Sequence, residues 1–281
     1  MKARVENFIN YLHSNELSHN TIISYERDIR EFSNFLSSKN VLDYREIEQF
    51  HIGDFVDQME IKGVSNSTIY RKSTTIKKFF SFLFANDLIS YNPTLEIERP
   101  KIKRGLPESL SVEEFDSIVN VIDKTSIVGK RDNLIFEVLF GTGIKVSELI
   151  NVNVEDINFT TNKLIIDNNN VRSIPLKREL LELISDYSIN TRIDFIKHPT
   201  DALFLNYKGE RISRQGIWKI IKKCSHLSPI DKEINPHTLR NSYAVYLFNN
   251  GNTSEQVRKI MGYNHIISSK YFSHCTKEGA K

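Results

Sequence analysis

The chain has 281 residues, 40% hydrophobic and 26% charged, with a formal net charge of +3. That composition suits a globular protein with a core that needs no metal or disulfide staples, and the length argues for two domains. No apolar run approaches the ~18 residues a membrane helix needs, and the two cysteines, Cys224 and Cys275, form no disulfide framework.

Cysteine usage of this kind favours a reducing, cytoplasmic setting. The start, MKARVENFINYL, reads as an amphipathic helix and not as a signal peptide. The charge is unevenly spread. Residues 62–104 hold nine Lys or Arg against three acids, and residues 211–223 hold five with none, so the remainder of the chain is acidic. Two basic blocks on an acidic background point to a polyanion partner, although solvated helix faces produce the same count.

In chain order, Val5, Phe8, Ile9 and Leu12 predict a helix over 4–13. Ser18 or Asn20 caps a second, with Ile22, Tyr25, Ile29, Phe32 and Leu36 as its stripe. A third spans about 47–61 with Ile47, Phe50, Phe55, Val56 and Met59, ending at Gly63. Ser65 or Asn66 opens a fourth over 66–85 with Ile69, Ile76, Phe79, Phe80, Leu83 and Phe84 inward. Arg71, Lys72, Lys77 and Lys78 occupy other parts of that helix, where they would meet phosphates on either side of a DNA groove. Residues 1–90 thus read as a four-helix domain. Asn92-Pro93 breaks the last helix, and 91–108 read as an extended basic linker carrying Lys101, Lys103 and Arg104.

Residues 109–281 form the second domain. Ser111 and Glu114 make a capping box before Phe115 and Ile118. An apolar helix over 131–140 ends at Gly141, and Lys145 begins or precedes the helix VSELINV. Lys163–Ile166, a turn at 167–170 and Val171–Leu176 read as a β-hairpin. Residues 177–190 are helical, ALFLNYKGERIS is a short strand and turn, and 215–223 is a helix carrying Trp218, Lys219 and, just before it, Arg214. The domain is therefore mainly α with a small antiparallel sheet.

The stretch 235–274 carries the chemistry. Asn235 and Pro236 start a helix that puts His237 and Arg240 on one face, with Leu239, Tyr243, Tyr246 and Leu247 on another. Gly251 closes it, and Thr253 with Gln256 opens a helix with Val257, Ile260 and Met261 inward, closed by Gly262. Tyr271 follows. Imidazole and guanidinium suit a phosphate, and a phenol can attack one. Taken alone, an HxxR pair is more often a solvated face.

Several motifs in register decide between those readings. GTGIKVSELINVNVEDI, the hairpin ending in RSIPL, and HTLRNSYAVYLFNNGNTSEQVRKIMGYNHI run in the order and spacing of the tyrosine recombinases. The first 110 residues resemble the same proteins, so the chain resembles the Xer and phage-integrase branch over nearly its whole length. The resemblance implies an N-terminal four-helix, SAM-like core-binding domain and a C-terminal catalytic domain. It implies double-stranded DNA as partner, a tetramer on DNA or an assembly with a related recombinase, and strand cleavage through a 3′-phosphotyrosyl link with no metal or cofactor.

Carried over by residue, His237 and Arg240 keep the family's pair. Lys145 stands where the first arginine is expected, and lysine lacks the bidentate fork. Asp167 or the Asn168–Asn170 turn replaces the hairpin lysine, with Arg172 and Lys163 nearby but out of register. Tyr263 stands at the second histidine position, with His265 two residues on. Ungapped counting puts Phe272 at the nucleophile position, with Tyr271 one residue early. Four of six positions depart. Two readings follow, a working recombinase with an altered site and a non-enzymatic DNA-binding relative. A phosphodiester-cleaving enzyme of another class is disfavoured by the absence of a metal-ligand cluster.

Overall fold

The computed structural model describes residues 1–15, 17–95, 107–167 and 171–263. The chain divides into two compact units, Met1–Arg104 and Gly105–Lys281.

The first unit holds α1 (Lys2–Ser14), α2 (His19–Ser38), a 3-10 turn at Tyr44–Glu46, α3 (Gln49–Ile61) and α4 (Asn66–Ala85). The Ser18 and Ser65 hydroxyls accept the third backbone N–H of α2 and α4, which sets where those helices begin. The aromatic residues spaced along the four helices meet in one core, with Phe8, Phe32, Phe79, Phe80 and Leu83 fully buried. Burial on that scale contributes about 1.5–3 kcal/mol per side chain. Two expectations fail here. Phe50 and Phe84 are exposed rather than inward. Phe50, in the first turn of α3, lies against the His51 ring instead. Phe82 takes the inward place on α4 because α1 covers that flank, stacking Phe8 and Tyr11 against it. α4 ends at Ala85 as expected, with Asn86 as its cap and Asp87 in the left-handed region, so the helix has already stopped before Asn92-Pro93.

The second unit holds α5 (Val112–Val119), α6 (Ile127–Thr142), α7 (Val146–Leu149), β1 (Ile157–Asn158), β2 (Lys163–Ile166), β3 (Arg172–Pro175), α8 (Arg178–Asp186), α9 (Arg214–Leu227), α10 (Pro236–Asn249) and α11 (Ser254–Met261). The capping boxes at Ser111 and Thr253 form as read. The sheet is antiparallel in order β1-β2-β3, with Leu164 opposite Ile174 and Ile166 opposite Arg172. Strand β1 escapes a period-2 reading because it is only two residues long. α6 runs one residue past the expected Gly141, to Thr142, and Gly143, with a φ of 61°, supplies the left-handed cap. Beyond α8 the chain widens into a π turn at Tyr187–Thr191 and then a 3-10 turn. ALFLNYKGERIS makes isolated bridges, Ala202 to Asn153 and Leu205 to Arg211, around a turn, and no named strand. On α10, Leu239, Tyr243 and Leu247 are buried as expected, whereas Tyr246 is exposed and receives the Lys177 ammonium over its ring.

Candidate functional site

Arg240 is the centre of the site. Asn235 starts α10 by accepting the His237 and Thr238 backbone N–H groups on its Oδ1, at 2.8 and 3.1 Å, with Pro236 in the first turn. Arg240 follows one turn later and is only 6% exposed. Its Nη1 donates to the Gly143 carbonyl and its Nη2 to the Met261 carbonyl. The Tyr263 ring covers the guanidinium, 4.9 Å from centroid to Cζ. Burial pulls the Arg240 pKa down, and the Tyr263 phenol and Glu148 oppose that pull. Burial pushes the Tyr263 phenol up, against the attraction of Arg240. Two left-handed glycines bring the carbonyls in. A Cβ on Gly143 would lie 2.7 Å from the Tyr243 ring, and one on Gly262 would lie 3.0 Å from the Arg172 guanidinium.

A second layer braces the first. Arg172, at the start of β3, donates from Nη1 and Nη2 to the two Glu148 oxygens at 2.9 and 2.7 Å, and from Nε to the Ile260 carbonyl at 3.0 Å. Glu148 Oε2 also accepts the Lys145 backbone N–H at 2.8 Å. Both charged side chains are nearly buried, so the pair ties α7, the hairpin and the end of α11 together. In the sequence alone Arg172 is only a cation out of register, and Glu148 has no evident role. The available signal was a single acid inside the apolar VSEL helix and an arginine opening an otherwise apolar strand.

Among the other expected residues, Lys145 and His237 have exposed side chains, Lys145 at the N-cap of α7 and His237 in the first turn of α10. Lys163 pairs with Pro175 at the hairpin's opposite end from Arg172. Asp167 directly follows β2, while Asn168–Asn170, His265, Tyr271 and Phe272 lie outside the described residues.

The basic residues divide into two kinds. Arg71 pairs with Asp28, which is fully buried and also accepts the Thr75 hydroxyl. Lys72 is buried against Glu31 at 2.5 Å. Half-buried Lys78 lies over the Tyr25 ring, and Lys77 is half-buried. The acids on α2 therefore engage two of the four cations named on α4. On α9, by contrast, Arg214, Lys219, Lys222 and Lys223 are exposed beside Trp218, itself 40% exposed. Arg211 is structural, donating to the Ile150 and Val152 carbonyls and to Asn153. Lys101, Lys103 and Arg104 lie outside the described residues. Among the described residues, no cluster of three or more His, Cys, Asp or Glu could hold a metal, and no helix is long and apolar enough to cross a membrane.

Comparison with known proteins places this geometry. The model described as "Phage integrase family" matches residues 108–278, and "Phage integrase, N-terminal SAM-like domain" matches residues 5–87. Tyrosine recombinase XerD of Staphylococcus epidermidis is 33% identical over 285 residues, covering 99% of this chain and 95% of that protein. XerD of Listeria monocytogenes is 31% identical over 283 residues with the same coverage. The fold matches that of the Tn1549 transposon integrase in complex with circular intermediate DNA, at a TM-score of 0.77 and 20% identity over 99% of this chain and 97% of that one. It also matches XerH recombinase bound to a palindromic difH substrate, at a TM-score of 0.78 and 18% identity over 98% and 92%.

Proposed function

The chain belongs to the phage integrase family of tyrosine recombinases, and from that premise we propose that it binds duplex DNA at a phosphate site built on Arg240, with strand cleavage weakened or lost. The observation that carries the binding is the face of α9, where Arg214, Lys219, Lys222 and Lys223 are exposed around Trp218 with no acid in the block. Cations there displace condensed counterions from DNA, and an aromatic among them can meet bases. Lys145, His237 and Arg240 are the groups that would hold one backbone phosphate, and Lys77, Lys78, Lys101, Lys103 and Arg104 would add contacts along the strand. The bound form is a homo-oligomer, a tetramer by analogy, or an assembly with a related recombinase.

Cleavage requires a phenol oxygen to attack phosphorus while the bond from phosphorus to the 5′ oxygen breaks. The phenol proton must leave, and the 5′ oxygen must gain one. The family's hairpin lysine, the group suited to give that proton, has no counterpart in register, and Asp167 directly after β2 would repel the phosphate. Lys145 offers a point charge where a fork would grip two oxygens. These substitutions favour the non-enzymatic reading. The second reading, an altered but working recombinase, draws on Tyr271, whose phenol lies one residue from the family register.

Titrating labelled duplex with the full chain at rising salt tests the binding. Affinity that falls steeply as salt goes from low to physiological strength supports the proposal, and affinity indifferent to salt removes it.

A further inference from the structure

We infer that Tyr263 is a built-in occupant of the phosphate grip, its ring covering the Arg240 guanidinium that a DNA phosphate would otherwise engage. The inference rests on the reading that Arg240 faces the DNA backbone, and it names what regulates that site. A guanidinium has five N–H donors and two faces. In this site one donor goes to the Gly143 carbonyl and one to the Met261 carbonyl, while the Tyr263 ring covers a face. What remains accessible is 6% of the residue.

The occupant is itself held in place. Gly262, at φ 64°, turns the chain sharply off the end of α11. The Tyr263 N–H then donates back to the Arg258 carbonyl at 3.0 Å, and its carbonyl accepts from Arg258 Nη1 at 3.5 Å. The ring packs on the small cluster of Tyr243, Leu247, Val257 and Met261. A phosphate reaching for a bidentate grip on Arg240 must therefore displace a desolvated cation–π contact. That competition weakens the grip by about tenfold or more.

The test reads guanidinium access directly. The full chain is treated with phenylglyoxal, which modifies accessible arginines, and modified peptides are quantified by mass spectrometry. Arg178, whose side chain is 88% exposed, serves as the internal reference. Arg240 is expected to react far more slowly than Arg178 in the unaltered protein. It should react about tenfold faster in Tyr263→Ala and Tyr263→His, with helical circular dichroism retained. Arg240 as reactive as Arg178 in the unaltered chain, or equally protected in both variants, overturns the inference.

Duplex binding provides a second arm. Arg240→Met should lower affinity in both backgrounds, by about tenfold more in the Tyr263→Ala background than in the unaltered one. Equal losses in both backgrounds overturn the inference. Failure of the unaltered chain to bind duplex at low salt would remove the DNA-binding reading alone, because the phenylglyoxal arm decides the role of Tyr263 without DNA.

Discussion

Arg240 is fixed by main chain: its two carbonyl partners sit at the ends of α6 and α11, which the left-handed Gly143 and Gly262 close. Gly143→Ala would force both a strained φ and a methyl into Tyr243, so it should lower unfolding stability by about 1–3 kcal/mol, measured by urea denaturation. The buried Arg172–Glu148 pair makes a sharper prediction. Arg172→Met leaves a carboxylate buried without its fork and should cost roughly 3–5 kcal/mol, whereas adding Glu148→Met should recover much of that loss. Equal stability of the single and double variants would argue against a pair that is buried and coupled. The Asn-Pro start and the HxxR spacing made His237 and Arg240 legible in the sequence, because a cap and a helical period are local. The partners of Arg240 were not legible, since Gly143 is 97 residues away and Met261 is 21. Nor was the match of Arg172 to Glu148, across 24 residues, which exists only once the hairpin folds against α7.

At the scale of elements, the two basic helices behave differently. On α9 the cations face solvent, so Lys219→Ala and Arg214→Ala should each lower the slope of log affinity against log salt by about one, with stability unchanged. Trp218, the chain's single tryptophan, should report the same contact as a change in fluorescence on adding duplex. On α4, Arg71 is bound to the fully buried Asp28, so Arg71→Ala should destabilise the first unit by roughly 3–5 kcal/mol in urea denaturation. Counting charges along the sequence treated these helices alike, because the acids that neutralise Arg71 and Lys72 come from a different helix. Helix starts were readable from Ser18, Ser65, Ser111 and Thr253, each a side chain that accepts an otherwise unpaired N–H. The inward side was less so. Phe82 and Phe84 are equally apolar, and only the placement of α1 chooses between them.

For the whole molecule, buried tyrosines set an alkaline limit. Burial pushes both Tyr187 and Tyr243 up to about 12. Below pH ~10 both are neutral in the folded and unfolded chain alike, so their contribution is intact. Above it the unfolded chain ionises first, and stability should fall as pH rises from ~10 towards about 12. Urea melts across that range, with phenolate absorbance followed in parallel, check this. The two-domain, mainly helical plan was legible because several motifs recur in family order over nearly the full length. The functional state was not, because it turns on which groups surround one guanidinium. The non-enzymatic reading, in which this chain grips DNA without cutting it, is tested most directly by covalent trapping. Duplexes enriched by the full chain from a random pool are nicked near the bound centre, so that a cleaved strand diffuses away and any protein–DNA link is retained. The expected result is salt-sensitive binding with no covalent species in denaturing gels. A retained adduct that maps to Tyr271 and disappears in Tyr271→Phe would contradict it.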